Sequence, residues 1–267
     1  MPSRLCPTQP INTGLESFDF TKPPTYPYIK SQQKTATHDS MLILPFNQQH
    51  SNKQSLILNQ NNQLQLTPYS TRQLVQHYNH QQLIDFSQTR HLCHYFDHHR
   101  KIPQINGDYQ LLPLGGTAHQ NTSWVALHYV AAFEQSDSHV LFRFFNGTTA
   151  ELNYHGQQLE TEIHHCAAIG RILRASLLLC SANFGYDITL RFRFPDSIIH
   201  QYDDCTCSRC QKIPQTTADL IQLLDELEIN KSNYIYKAAT QAFPECPLHE
   251  FAWYNDVNVF IKQLRRL

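Results

Sequence analysis

Residues 140–154 read VLFRFFNGTTAELNY, and this stretch decides how the rest of the chain is parsed. Two runs rich in β-branched and aromatic residues flank Asn146-Gly147, a pair that suits a tight two-residue hairpin turn because both positions then take positive φ. From Gln157 the period changes. Leu159, Ile163, Cys166, Ile169, Ile172 or Leu173, and Leu177 recur at three- and four-residue steps, which predicts a helix to about Cys180. His164, Arg171 and Arg174 fall on a second face of that helix, expected to point outward.

Working outward, strand-like segments precede the hairpin. MLILPF from Met41 and SLILNQNNQLQLTPY, with its Asn-rich turn, read as three strands. KIPQI, DYQLLPL and SWVALHYVAAF read as further strands. Residues 72–100 do not resolve between short helices and a looped strand pair. After the central helix, YDITLRFRF looks like a strand and TTADLIQLLDELEI like a helix capped by Thr216 or Thr217. NDVNVFIKQLRRL reads as a terminal helix with cations at its negative end. The expected fold class is α+β, a largely antiparallel sheet packed with a few helices.

Three regions are expected. Residues 1–40, rich in Pro, Thr, Ser and Gln, read as a disordered arm that buries too little apolar surface to offset its ordering entropy. Residues 41–180 form the domain, and 181–267 an extension with helices and a Cys-rich turn. Hydrophobic residues make up 41% of the 267-residue chain, enough for a real core. Apolar runs such as Ser176–Cys180 are too short for a membrane span, and the N-terminus carries no continuous apolar leader segment. Eight cysteines without such a leader point to a reducing, cytoplasmic setting, with thiols free or metal-bound.

A formal net charge of −1 gives no global attraction to nucleic acid, so any such contact must be a local patch. Arg90, Arg100, Lys101, Arg171 and Arg174 are the candidate phosphate or minor-groove contacts, with Arg72 a further cation in the same region. Cys207-x-x-Cys210 and Cys246-x-x-His249 supply four soft ligands that could converge tetrahedrally on a structural zinc, and Cys205 lies beside them. RHLCHYFDHHRK, residues 90–101, would place His94 and His98 one turn apart if helical, yet lacks the H-E-x-x-H pattern of catalytic zinc. Cys93 beside His94 is a weak nucleophile–base pairing. With no G-x-S-x-G, P-loop or G-x-G-x-x-G, the chain is not expected to be an enzyme and needs no organic cofactor.

The order of five segments from Met41 to about Ala175 resembles the ComK family of competence transcription factors of Gram-positive bacteria. MLILPF is similar to the family's opening strand. KIPQI, YQLLPLGGT and SWVALHYV follow in the family's order, and FFNGTTAEL with the helix through IHHCAAIGRIL resembles its hairpin and following helix. The resemblance implies a cytoplasmic activator of DNA-uptake genes that binds paired A/T-rich boxes through the minor groove as a homo-oligomer, its level set by an adaptor–protease system. A narrow A/T-rich groove concentrates negative potential, so a few arginines can suffice. Where the family carries a glycine-rich motif ending in arginine-lysine, residues 77–91 read HYNHQQLIDFSQTRH and hold no glycine. The alternative expectation is a relative of the same fold that no longer binds DNA and acts as a protein-interaction or zinc-stabilised regulator.

Overall fold

The computed structural model describes residues 16–22, 26–46, 54–82, 86–116, 122–156 and 158–242, with side chains described to residue 229 except Ser87. The strands are β1 (Ser17–Asp19), β2 (Ile29–Lys30), β3 (Ser40–Phe46), β4 (Gln54–Asn59), β5 (Leu64–Thr67), β6 (Gln104–Asn106), β7 (Tyr109–Pro113), β8 (Trp124–Ala126), β9 (Val130–Gln135), β10 (His139–Phe144) and β11 (Thr149–Asn153). The helices are α1 (Thr71–Asn79), α2 (Phe86–Tyr95), α3 (Leu159–Asn183) and α4 (Thr217–Ala242). The fold is α+β. One sheet runs β1-β11-β10-β9 and the other β2-β5-β4-β3-β8-β7-β6. Every pairing is antiparallel except β1 with β11 and β2 with β5.

The hairpin forms as the pattern predicts, with Arg143 opposite Thr149, but its turn is longer than two residues. Only Gly147 takes positive φ, at 81°. Its N–H bonds the Phe144 carbonyl, and the Phe144 N–H bonds the Thr148 carbonyl, closing a three-residue loop with glycine in the left-handed position. Asn146 instead reaches across the fold. Its Nδ2 donates to the Gln60 carbonyl at 2.9 Å and to Asn62 Oδ1 at 2.8 Å, tying the hairpin to the β4–β5 turn.

Helix α3 is the centre of the core. From Leu159 to Ile172 it is buried on several sides, with Ile163, Cys166, Ala167, Ala168 and Ile169 essentially inaccessible. Gly170 allows close approach to the β6–β7 turn, because a Cβ there would sit 2.4 Å from Gln110 Nε2. By length and composition α3 could cross a membrane, contrary to the reading of its apolar runs as too short, and the fold buries 44% of its most apolar window. Its last turns carry Leu177 and Leu178 on the surface.

The core does not stop at residue 180. Ile198, Ile199, Cys210, Ile213, Leu220 and Leu223 belong to the same buried cluster as the hairpin and α3. The Ser197 hydroxyl donates to the Leu127 carbonyl at 2.9 Å within that core. Residues 186–194, expected as a strand, form none. Phe192 stacks on Arg174 and His200, while Phe194 packs among Tyr109, His128 and Tyr129. At the other end, residues 16–22 and 26–40 of the expected arm lie against the domain. β1 extends one sheet, β2 extends the other, and Phe18, Phe20 and Tyr26 cluster over the first. α4 starts with a reciprocal cap: Thr216 Oγ1 accepts from the Asp219 N–H, and Asp219 Oδ2 accepts from the Thr216 N–H. The terminal helix expected over residues 255–267 lies outside the described residues.

Candidate functional site

The segment after α3 folds back over the helix face expected to be outward, and this changes the setting of every residue on it. His164 lies stacked on Tyr202, ring centroids 4.6 Å apart. Arg171 donates to the Tyr202 carbonyl at 3.4 Å. Arg174 is the most enclosed, its side chain only 13% exposed. Its guanidinium donates to Asp108 at 3.0 Å and to Asp203, and lies over the Phe192 ring. His200 completes the network, 2.8 Å from Asp203 and 3.8 Å from Asp108, the latter too long for a hydrogen bond. An outer helix face was the natural reading of its charges. An irregular covering segment, which has no periodicity to announce it, makes that face an interior seam.

The same segment brings four metal-ligating groups together. His164 from α3 and Cys205, Cys207 and Cys210 from the loop place their ligand atoms within 4.8 Å of one another. His164 Nε2 is 2.9 Å from Cys210 Sγ and 3.8 Å from Cys207 Sγ. This group could hold a metal ion. Tetrahedral zinc with S and N ligands at about 2.3 and 2.0 Å needs donor atoms roughly 3.5–3.8 Å apart, so adjustments of about 1 Å suffice. The electrostatics are mixed without a metal. The backbone N–H of Cys210 leads the interactions that lower the Cys207 pKa, while burial pushes the Cys210 thiol up to about 12. A bound cation would reverse the second effect, since a coordinating thiol is deprotonated. Of the ligands expected from sequence, Cys207 and Cys210 are in the cluster. Cys246 and His249 lie outside the described residues. Cys205 and His164 were in view, but no spacing rule links a helix histidine to thiols in a distant loop.

Next to this loop lies a hollow of about 900 Å³. Arg100, Lys101, Arg209 and Lys212 line it together with Asp97 and Glu162. Lys101 pairs with Glu162 at 2.8 Å and Lys212 with Asp97 at 2.5 Å. Arg100 and Arg209 are left without an acidic partner among the described residues. Lys101 is largely enclosed, its Nζ also donating to the Tyr154 hydroxyl at 3.1 Å. Burial acts against its ammonium, but the bonds to Glu162 and Tyr154 outweigh that and raise its pKa. His99 lines both this hollow and a second one between α1 and α2, where Arg72 and Arg90 are exposed.

The remaining candidates are dispersed. α2 ends at Tyr95, so His98 leaves the helix and packs against His165, while His94 packs against His99. Cys93 is fully buried and burial raises its pKa to about 12, far from a nucleophilic thiolate. The six described cysteines are free thiols. No protein-family model, curated protein or solved structure matches this chain.

Proposed function

We propose that this chain is a DNA-binding regulator of the ComK kind, contacting A/T-rich duplex DNA through a basic surface that runs from Arg90 across His99 to Arg100 and Arg209. The observation that carries this reading is the pair of arginines, Arg100 and Arg209, that keep no acidic partner among the described residues where the neighbouring lysines are neutralised. Arg100 is exposed and Arg209 half-buried; arginines on a concave face supply phosphate contacts or enter a narrow minor groove, and they do so without a positive net charge. Lys101, Arg171 and Arg174 take supporting roles in this reading, because their polar groups are already engaged within the fold.

The test is titration of an A/T-rich and a G/C-rich duplex at several salt concentrations, for the full chain and for Arg100→Ala with Arg209→Ala. Preference for the A/T-rich duplex is expected. The double variant should lose about two units of the slope of log affinity against log salt, roughly one per phosphate contact. Equal affinity for both duplexes, or an unchanged slope, would refute it.

A specific observation favours a second element. The His164, Cys205, Cys207 and Cys210 cluster fits a structural zinc, with one imidazole nitrogen and three thiolates closing the coordination shell. Zinc there would staple the segment carrying Arg209 to α3. A chain that binds zinc but neither duplex would be the protein-interaction or zinc-stabilised regulator instead.

A further inference from the structure

Cys207-Ser-Arg-Cys210 spans one tight turn, and the turn places its two sulfurs unequally. The Gln211 N–H donates to the Cys207 carbonyl at 3.0 Å, and the N–H groups of Arg209 and Cys210 point at the Cys207 sulfur. Cys207 is exposed, whereas Cys210 is only 3% exposed. The two sulfurs lie within 4.8 Å of each other and share a hydrogen bond. A thiol open to solvent beside one held underneath lets a small oxidant reach the first sulfur while the second completes the bond. Cys180 makes the contrast, exposed as well but in no such group among the described residues. The surroundings leave room for the change. From Asp203 to Lys212 only Cys210 is buried, so side-chain rotation that brings the sulfurs to about 2 Å meets little packing.

We propose that Cys207 and Cys210 form a peroxide-oxidised dithiol whose oxidation state sets whether this loop is joined to α3. The Cys207 sulfur attacks one oxygen of hydrogen peroxide, the O–O bond breaks, and water leaves with the thiol proton. A sulfenic acid remains on Cys207. The Cys210 sulfur attacks it, the S–O bond breaks, and a second water leaves with the Cys210 proton. Two thiols are thereby oxidised by two electrons to one disulfide, and one peroxide is reduced to two waters. The effect on the loop rests on the reading of the cluster as a zinc site. Metal would tie the loop to α3 through His164, whose Nε2 is 2.9 Å from Cys210 Sγ and 3.8 Å from Cys207 Sγ. A disulfide closes the turn on itself instead. It takes two of the three thiolates from the metal, so zinc is released and the tie through His164 is lost.

The experiment uses the reduced full chain, zinc-loaded and chelator-stripped, each given a twofold excess of hydrogen peroxide without air. Trypsin cuts after Arg193, Arg209 and Lys212, so peptide 194–209 stays joined to peptide 210–212 only when a disulfide crosses the cut. Non-reducing mass spectrometry should find the joined pair in both preparations. It should vanish in Cys207→Ser and in Cys210→Ser and persist in Cys205→Ser. In Cys210→Ser the sulfenic acid has no second thiol, so dimedone should trap it on Cys207. Circular dichroism checks that each variant folds. The zinc-loaded chain should release one zinc per disulfide to a chromophoric chelator, and its melting temperature should stop responding to added zinc. Joined peptides in a chain that never holds zinc would overturn the zinc reading and the release step. Bound zinc with no joined peptides, joining that survives Cys207→Ser, or joining lost in Cys205→Ser would overturn the dithiol.

Discussion

Replacing Arg174 distinguishes a surface arginine from an interior one. In Arg174→Met an apolar side chain replaces the guanidinium that lies over Phe192, while Asp108 and Asp203 lose the cation they share. Breaking a fully buried pair by removing one partner costs about 3–5 kcal/mol. Here the side chains are 13%, 20% and 29% exposed, so water recovers part of that loss and about 2–4 kcal/mol is expected. Urea unfolding at fixed zinc reads this as a lower midpoint with little change in slope. The triple variant with Asp108→Asn and Asp203→Asn should recover much of the stability, since neutral amides tolerate the seam that stranded carboxylates do not. The salt dependence of duplex binding by the folded single variant should match that of the unaltered chain. A loss below about 0.5 kcal/mol, the range of ordinary surface substitutions, would refute the interior assignment.

Gly170→Ala should destabilise the fold by about 1–2 kcal/mol in spite of alanine's better helix propensity, because the buried Gln110 amide must leave its bond to the Gly107 carbonyl. Adding Gln110→Ala should return part of that loss in thermal or urea melts. Burial lowers the His128 pKa to about 3, so the unfolded chain holds one more proton between there and the ordinary histidine value. Stability present above about pH 6.5 is therefore lost as pH falls, at about 1.4 kcal/mol per pH unit from this residue. His128→Asn keeps an acceptor for the Gln110 N–H and should flatten that slope by the same amount in unfolding measured from pH 6 to 4. For the metal, elemental analysis should find one zinc per chain, retained in Cys246→Ser and His249→Ala but lost in Cys207→Ser with Cys210→Ser. A chelator should lower the melting temperature of the first pair of variants and leave the second unmoved; zinc lost from the first pair instead would restore the ligand set read from sequence.

Much of the fold was legible wherever a period was long enough to exclude alternatives. The hairpin and α3 were readable because alternation and the 3.6-residue repeat persist for several turns. The turn type was not, because Asn146 serves Asn62 and Gln60 across the fold, and the local dipeptide rule knows nothing of them. The strand expected over YDITLRFRF failed for a related reason. Alternating aromatics suit a pleated edge, but a strand exists only where another edge receives it, and Phe192 and Phe194 find separate pockets instead. The charges on α3 misled in the same direction. Amphipathicity separates apolar from polar faces; it does not say whether the polar face meets water or a covering segment that answers its charges one by one, as Asp203 answers Arg174.

The candidate metal loop and the basic hollow are built from one stretch of chain, and this ties their energetics together. Cys207 and Cys210 face His164, while Arg209 between them and Lys212 after them line the hollow. Few apolar contacts fix this loop. Ile213 and Cys210 are buried, and the Tyr95 hydroxyl donates to the Lys212 carbonyl at 2.7 Å, but Cys207 and its neighbours are exposed. A short irregular segment with so little burial spends part of its time open unless something else closes it. Metal coordination would provide such a closure, because ligands that converge only in the folded chain turn binding free energy into folding free energy. With a metal bound, the position of Arg209 would depend on the neighbouring thiols rather than on packing of the arginine itself. On the proposed reading, an arginine inside C-x-x-C would then be placed for a duplex contact without an acidic partner among the described residues.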